Sequence, residues 1–302
     1  MSNVNVVNQR ILISPLNWGM GHVSRCIGVI DELLKFENEV IIACDDDQKL
    51  IFQEYFPEIQ FIIHKGYPFS FGGKGRFAWD LGKRFSQLRR RLINEILEVD
   101  GYVSKYEIDL VISDHRYGFY SEKCRSIFLT HQLNLPIKWY QFPIKLIHDQ
   151  YLKKFQSIWV LDDENCSLSG FLGRAGNRDN ILFIGHFSRF KRYVSVKKKT
   201  GGFVVVASGP DVYAQQLVDY AVEKYGVEIT ILCNETINCP IESRKITGGW
   251  LRQDEVLLHA ETIISRSGYS TLMDLKMLDS VAILVATPGQ REQLYLQKRH
   301  AT

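Results

Sequence analysis

A glycine turn that carries a histidine lies close to the start of the chain. The apolar run Ile11–Leu16 is typical of a strand, and Gly19-Met-Gly-His22 follows it, ahead of apolar residues at helical spacing. A neutral imidazole at a helix start can take a proton from a hydroxyl group, since the helix dipole disfavours the imidazolium form. His22 is therefore a candidate general base. Asp114, at the end of the predicted strand Leu110–Ser113, is the rival base; capping of the following turn is its alternative role.

A second turn of the same kind lies near the other end of the chain. It runs from Arg266 to Gly268, and a helix opened by Ser270 or Thr271 is predicted to follow. Free backbone N–H groups and the helix dipole at such a turn attract phosphate oxygens. Arg266 adds a fork of donors, and Asp274 can accept two hydrogen bonds from ribose hydroxyls. An ordinary capped helix after a buried strand is the alternative interpretation of this turn taken alone.

The two turns together resemble those of the family-28 and related GT-B glycosyltransferases, the type that includes the peptidoglycan-precursor N-acetylglucosaminyltransferases. The resemblance covers the glycine turn with His22 and the stretch from about Gly248 to Gln293. A closer likeness is to uncharacterised bacterial glycosyltransferase-like proteins that carry Trp-Gly-x-Gly-His and a Ser-Asp-x-Arg-Tyr-Gly segment, here Ser113–Gly118. The first turn is not the dinucleotide fingerprint, because Ser24 stands where a third glycine belongs.

The resemblance implies an α/β fold of two Rossmann-like lobes whose parallel sheets face a cleft. We place an acceptor-side domain at residues 1–187 and a nucleotide-sugar-binding domain at 188–302, with a closing C-terminal helix that is short or absent. The implied function is the metal-independent, inverting transfer of a sugar, N-acetylhexosamine being one candidate, from a nucleoside diphosphate donor. A UDP-sugar is expected as donor. The acceptor is an unknown glycan or lipid-linked molecule, and no cofactor is expected.

The resemblance also assigns roles to individual residues. The expected catalytic residues are His22 and Asp114, and the acceptor side is expected to include Arg25, Arg116 and His131. The expected donor-binding residues are Gly19, Gly21, Ser208, Gly209, Leu251, Arg266, Ser267, Gly268, Ser270, Thr271, Asp274, Glu292 and Gln293.

Three consecutive aspartates, Asp45 to Asp47, could hold a divalent cation against a diphosphate. They close the second predicted strand and precede the helical stretch Gln48–Phe56, so capping of that helix by Asp46 or Asp47 is the favoured interpretation. No metal site is predicted. The leaving diphosphate would then depend on helix dipoles, backbone N–H groups and Arg266.

Length, charge and cysteine content exclude several classes of protein. A chain of 302 residues suits two domains, and a net charge of +3 argues against a dedicated nucleic-acid binder. The six cysteines show neither zinc-ligand spacing nor a disulfide framework. No signal peptide or spanning segment is visible, so we expect a cytoplasmic protein. The resemblance implies that it acts on bacterial cell-envelope glycan. Peripheral contact with the inner face of the membrane stays open, because the predicted helix after Tyr67–Trp79 carries a basic face; the oligomeric state is not predicted.

Near-continuous apolar runs recur along the chain, as parallel strands covered on both faces require. A basic stretch flanked by glycines, Gly185–Gly202, separates two sets of them and is predicted to be the interdomain linker. Two other functions stay open. A hydrolase would use His22 to activate water, and a non-catalytic protein would bind UDP-sugar without consuming it. An NAD oxidoreductase is a more distant alternative.

Overall fold

The computed structural model describes residues 4–68, 85–136, 142–193 and 199–300. They divide into two compact units, the first ending at Phe187 and the second beginning at Ser188. Each unit is built on a parallel β-sheet. The predicted fold class, an α/β protein with two Rossmann-like parallel sheets, is confirmed.

The first unit has a seven-stranded sheet in the order β3-β2-β1-β4-β5-β6-β7. Its strands are β1 Arg10–Pro15, β2 Glu39–Cys44, β3 Gln60–Ile63, β4 Leu110–Asp114, β5 Arg125–Thr130, β6 Ser157–Val160 and β7 Ile181–Phe183. Its helices are α1 Met20–Leu34, α2 Asp46–Tyr55, α3 Phe85–Tyr106 and α4 Phe142–Leu152, with a short 3-10 helix at Gly170–Gly173.

The second unit has a five-stranded sheet in the order β10-β9-β8-β11-β12. Its strands are β8 Phe203–Ala207, β9 Thr230–Cys233, β10 Arg244–Ile246, β11 Thr262–Arg266 and β12 Val281–Val285. Its helices are α5 Asp211–Tyr225, α6 Trp250–His259, α7 Tyr269–Leu278 and α8 Arg291–His300, and a 3-10 helix at Arg189–Arg192 opens the unit.

Alternate residues of the second sheet enter two separate apolar cores, as the two-residue period of a strand requires. Val205 and Ile231 pack with Leu217 of α5, whereas Val204 and Leu232 pack with Leu257 of α6 and with residues of α7. Helices therefore cover both faces. This explains why the strands read as unbroken apolar runs in the sequence.

Each sheet has one topological switch point, where consecutive strands stop being added on one side of the first strand and begin to be added on the other. In the first sheet it lies between β1 and β4, where Pro15 pairs with Asp114. In the second it lies between β8 and β11, where Val206 pairs with Ser265. Ligands of open α/β sheets bind at the carboxyl ends of the strands at such points, because the loops diverge there.

Several local predictions need correction. Asp45, rather than Asp46 or Asp47, caps α2 by accepting from the Gln48 N–H at 2.9 Å. Helix α7 begins at Tyr269, one residue before the predicted start, with Gly268 as its N-cap. Strand β10 was not predicted. Within the segment predicted to be the linker, Arg189–Arg192 is a 3-10 helix whose Phe190 is buried.

Most of the segment Tyr67–Trp79, together with the start of the basic helix, lies outside the described residues. Among the helices that the structure does describe, none is long and apolar enough to cross a membrane.

Candidate functional site

A buried carboxylate holds the histidine of the first glycine turn. His22 lies in the first turn of α1, and its Nδ1 is 2.8 Å from Oδ2 of Asp114, the last residue of β4. Gly19, whose φ of 139° suits a residue without a side chain, ends the turn before the helix. Asp114 is completely buried, whereas the His22 side chain is 17% exposed. Of the two rival bases, only His22 is therefore open to a ligand.

Arg25, one turn further along α1, completes this group. Its Nη2 pairs with Oδ1 of Asp114 in a very short contact, and its Nε donates to Oδ2 at 3.0 Å. The remaining nitrogen, Nη1, lies 3.0 Å from Nδ1 of His131, which follows β5. Arg25 is only 2% exposed. Arg25 was predicted to lie on the acceptor side; in this structure its guanidinium contacts Asp114 and His131, and its role towards an acceptor stays a prediction.

The proton of His22 can be placed from these contacts. Nδ1 faces both Oδ2 of Asp114 at 2.8 Å and Nη2 of Arg25 at 2.7 Å, and only one of the two can be a hydrogen bond in a given tautomer. An ionised carboxylate has no proton to give, so the bond to Asp114 requires the proton on Nδ1. In that tautomer Nε2 carries the free lone pair.

Charge and burial set the protonation states of the pair. Burial by itself would raise the pKa of Asp114, but the neighbouring Arg25 charge and then His22 outweigh it and hold that pKa well below its usual range. Burial, followed by the Arg25 charge, lowers the pKa of His22 below 6.5, although Asp114 opposes the change. At neutral pH, Asp114 is therefore ionised and His22 is neutral.

Two further histidines surround this pair. The ring of His115 lies 6.0 Å from that of His22 and 5.9 Å from that of His131. Burial, followed by the Arg25 charge, lowers the pKa of His115 well below its usual range. His115 adopts a left-handed φ of 61°, an uncommon backbone conformation for a non-glycine residue. His131, which was predicted to lie on the acceptor side, is 6% exposed and lies on the buried side of this group.

Arg116 belongs to a separate buried network. Its Nε donates to Oε1 of Glu95 at 2.7 Å, and its Nη2 donates to the backbone carbonyl of Lys65 at 2.8 Å. Glu95 also accepts from the Tyr67 hydroxyl at 2.6 Å and lies 3.1 Å from Nε2 of His64. Both Arg116 and Glu95 are completely buried. The side-chain nitrogens of Arg116 are thus engaged by protein groups, and its predicted contact with an acceptor stays a prediction.

The segment Ser113–Gly118 is thus tied down along its length. The Ser113 hydroxyl donates to the Arg116 carbonyl at 2.5 Å, and the Tyr117 hydroxyl lies 2.7 Å from Nδ1 of His148. A side chain at Gly118 would stand 2.6 Å from Oε2 of Glu95 and 2.7 Å from the Leu92 carbonyl oxygen. The role of this segment is to hold Asp114 in place beneath His22.

The turns predicted to bind the donor lie at the switch point of the second sheet. Ser208, Gly209 and Pro210 follow β8 and are exposed, and α5 begins directly after them. Helix α7 begins after Gly268 at the end of β11. Neither helix has a side chain that caps its N-terminus. Such helix starts leave backbone N–H groups to which an anion can bind, here those of Asp211 and Val212 in α5 and of Ser270 and Thr271 in α7. The Tyr213 N–H already donates to the Pro210 carbonyl at 2.9 Å.

Arg266 fastens these turns together. Its Nη1 donates to the Ala286 carbonyl at 3.1 Å and its Nη2 to the Tyr213 carbonyl at 2.5 Å, which joins the end of β12 to the first turn of α5. The side chain is 8% exposed, and its buried Nε has no hydrogen-bond partner among the described residues. Arg266 therefore organises the loops, with Nε as the group left for a ligand.

Asp274 does not present a free carboxylate. Its Oδ1 accepts from the Ser188 hydroxyl at 2.6 Å, and its Oδ2 accepts from Nη1 of Arg189 at 2.5 Å. Arg189 also donates to Asp254 at 2.6 Å and lies 5.0 Å from the centre of the Trp250 ring. In this structure Asp274 holds the start of the second unit, and the ribose contact predicted for it stays a prediction.

The remaining residues predicted to bind the donor either make contacts within the protein or are partly exposed beside a turn. The Ser267 hydroxyl donates to the Gln293 carbonyl at 2.8 Å, and Oε1 of Gln293 accepts from the Thr287 N–H at 2.8 Å. These contacts hold the loop before α8. Leu251 in the first turn of α6 is 41% exposed. Four residues keep partial exposure beside a turn: Gly21, Gly268, Thr271 and Glu292, whereas Ser270 is buried.

A third carboxylate–histidine pair lies at the carboxyl end of β6. Nε2 of His186 is 2.8 Å from Oδ1 of Asp162, and Asp163 stands beside them, a grouping that could hold a metal ion. Both oxygens of Asp162 already accept protein hydrogen bonds, including 2.7 Å from the Ser169 N–H. We therefore assign this pair a structural role.

Sequence reasoning missed the partners of the buried arginines. Glu95 sits within a helix and Asp254 one turn into another, where either would ordinarily be taken for a solvated residue. A signal was present for Glu95, since it falls at helical spacing between the apolar residues Leu92 and Val99. Arg189 lay in a stretch read as linker and gave no signal.

The comparisons with known proteins bear on the fold. No protein-family model matches the sequence, and no curated protein matches it. Solved structures do match along almost the whole chain. A glycosyltransferase of kitacinnamycin aligns at 12% identity and a TM-score of 0.64, covering 96% of this chain and 83% of its own. Glycosyltransferase SsfS6 of Streptomyces sp. SF2575, solved with thymidine diphosphate, aligns at 13% identity and a TM-score of 0.62, covering 97% and 86%.

A structure from a plant aligns over a similar share of the chain. UGT89C1 of Arabidopsis thaliana, solved with quercetin, aligns at 12% identity and a TM-score of 0.58, covering 97% of this chain and 82% of its own. At such low identity these likenesses establish the two-sheet fold alone. They carry no information on the family-28 type, which stays a prediction.

Proposed function

We propose that the protein transfers a sugar from a nucleoside diphosphate donor to a hydroxyl group of an acceptor. The observation that carries the proposal is the His22–Asp114 pair, an accessible neutral imidazole held by a buried carboxylate at the switch point of the first sheet. The fold supports it, since two similar structures named as glycosyltransferases were solved with thymidine diphosphate.

The proposed reaction is a direct displacement. His22 Nε2 takes the proton of the acceptor hydroxyl as its oxygen attacks the anomeric carbon, and the bond from that carbon to the diphosphate oxygen breaks. Asp114 keeps the proton on Nδ1 and stabilises the imidazolium as it forms, while remaining ionised itself. Attack opposite the leaving group inverts the configuration at the anomeric carbon. Arg25 keeps Asp114 ionised and fixes the position of its carboxylate.

We assign the donor to the second unit. Its diphosphate would lie against the first turns of α5 and α7, between Ser208–Pro210 and Gly268, where uncapped backbone N–H groups meet. A phosphate oxygen would also give the buried Nε of Arg266 its missing partner. The family-28 resemblance favours uridine as the nucleoside and Glu292 and Gln293 as sugar contacts. Thymidine diphosphate in similar structures makes TDP-sugars the second donor class to test.

Calorimetric titration with UDP, TDP, GDP, CDP and NAD tests the binding part of the proposal. Release of the nucleoside diphosphate from the matching sugar donors, with and without a panel of hydroxyl acceptors, then tests the reaction. Turnover that depends on an acceptor supports the transferase. Equal turnover without an acceptor would establish the hydrolase in its place, and binding without turnover the non-catalytic protein. Absence of binding to every diphosphate would refute the proposal.

A further inference from the structure

Two cysteines of the second unit lie in contact outside the proposed active site. The sulfur atoms of Cys233 and Cys239, six positions apart in the sequence, are 3.8 Å from each other. Cys233 is the last residue of β9 and is buried, whereas Cys239 is partly exposed. Both are free thiols in this structure. We propose that this pair is a modification site at which a reversible disulfide bond forms.

Hydrogen bonds to neighbouring elements hold the loop between the two cysteines with the sulfur atoms in contact. The Thr236 hydroxyl donates to Asp211 at 2.8 Å, and the Asn238 N–H donates to the side chain of Gln215 at 2.9 Å. Lys245 Nζ donates to the carbonyls of Glu235 at 2.8 Å and Ile237 at 2.6 Å. Because these contacts tie both ends of the loop, little conformational freedom is left to lose on closure.

The remaining movement is small. A disulfide places its sulfur atoms about 2.0 Å apart, so the two sulfur atoms, now 3.8 Å apart, must approach by about 1.8 Å. The partial exposure of Cys239 lets an external oxidant reach one sulfur while its partner is protected. The pair therefore has an entry thiol, Cys239, and a resolving thiol, Cys233.

The chemistry balances with a low-molecular-weight disulfide such as oxidised glutathione as the oxidant. The Cys239 thiolate attacks one sulfur of oxidised glutathione, which forms a mixed disulfide and releases one glutathione thiolate. Cys233 then loses its proton and attacks the Cys239 sulfur, which releases the second glutathione. Two cysteines are oxidised and one glutathione disulfide is reduced to two thiols.

The environment of Cys233 makes the second step depend on pH. Burial, followed by the neighbouring Cys239, raises the pKa of Cys233 to about 12. Only a small fraction is thiolate at neutral pH, so closure should speed up as the pH is raised.

The sequence allows a direct test by mass spectrometry. Trypsin cleaves after Lys224 and Arg244 and nowhere between them, so both cysteines fall in one peptide. The native protein is incubated with oxidised glutathione, quenched in acid, and alkylated in denaturant before digestion. We expect this peptide to lose about 2 Da and to take up no alkylating reagent, as an internal disulfide requires. Further cleavage after Glu235 should leave two fragments that separate only on reduction.

Two variants control the experiment. Cys239→Ser should abolish the change, and Cys124→Ser, which alters a half-buried cysteine of the first unit, should leave it intact. Dithiothreitol should restore two alkylatable thiols in the wild type. A peptide that takes up alkylating reagent at both cysteines after oxidation, or one that retains glutathione on Cys239 at pH 9, would overturn the proposal.

Discussion

Replacing Asp114 with asparagine separates the catalytic role of the carboxylate from its contribution to stability. The amide preserves the shape but removes the charge that faces Arg25. Removing one partner of a buried ion pair costs about 3–5 kcal/mol of unfolding free energy. The amide can also donate a hydrogen bond to Nδ1 of His22, which moves the imidazole proton to Nε2 and removes the base. Turnover should fall by about 10²–10⁴, or roughly 3–5 kcal/mol in activation free energy.

The chain offers a matched control in Asp162→Asn. Asp162 is also completely buried and also accepts from a histidine at 2.8 Å, but it serves no proposed reactive group. Denaturant unfolding should show comparable destabilisation of both variants. Initial rates of nucleoside diphosphate release, measured where all the proteins are folded, should fall only for Asp114→Asn, while calorimetric affinity for the nucleotide stays unchanged in both. Full turnover in folded Asp114→Asn, or an equal loss in Asp162→Asn, would refute the reasoning.

Three further predictions follow from the same contacts. Asp274→Ala should lower the unfolding free energy by about 1–3 kcal/mol, because the buried Ser188 and Arg189 each lose a partner. A tenfold loss of nucleotide affinity in calorimetry, without any loss of stability, would instead support the predicted contact of Asp274 with the ribose. Turnover should be level from pH 6.5 to 8 and decline only on the acid side, since the pKa of His22 is lowered below 6.5; a midpoint above 6.5 in the rate profile would count against His22 as the base. Gly118→Ala should lower the free energy of unfolding, measured with denaturant, by about 1–3 kcal/mol, because the added methyl group would contact Glu95 and the Leu92 carbonyl. Unchanged stability would show that Glu95 and Arg116 can move aside without loss of their contacts.

The sign of the pH effect on stability is the same for the histidine and the carboxylates. The folded protein keeps His22 neutral, mainly through burial, whereas the unfolded chain binds a proton near pH 6.5, so unfolding becomes easier as the pH falls below that value. Burial opposes ionisation of Glu95, but Arg116 outweighs it and the pKa of Glu95 is lowered. Stabilisation by Glu95 and Asp114 is therefore present above their unfolded pKa values and is lost as the pH falls through their folded ones.

The sheets could be predicted because parallel strands covered on both faces must be apolar along their whole length. Strand β10 was missed because it lacks such an apolar run. It is an edge strand, Arg-Lys-Ile, with two exposed charged residues. The start of α7 was placed one residue late because a glycine, and not the hydroxyl side chain expected, occupies the N-cap. His22 and Asp114 could be placed at one edge from the strand ends that precede them. Their direct contact could not, because it depends on the rotation of α1 over the sheet.

Arginine is the residue type whose protein partners the sequence did not reveal. Arg25, Arg116 and Arg266 were each predicted to contact a ligand, and they are 2%, 0% and 8% exposed. Each follows a strand end or a glycine turn, where a ligand-binding arginine would also stand. Loops at a sheet edge leave carbonyls and carboxylates that need buried donors, and a guanidinium satisfies several at once. A sequence shows the donor but not the acceptors, which come from distant segments such as Glu95.

This distribution of charge has a consequence for the proposed reaction. If the buried arginines organise loops and hold Asp114, direct contact with the substrates falls to His22, to the backbone N–H groups of two helix starts and to the buried Nε of Arg266. Such groups are held in position before a ligand arrives, so they stabilise developing charge with little reorganisation. Substitution of Ser208 should then alter nucleotide affinity only slightly, whereas proline at Thr271, which removes a backbone N–H of the first turn of α7, should lower it at least tenfold. Calorimetry on these two variants distinguishes backbone recognition of the diphosphate from recognition by side chains.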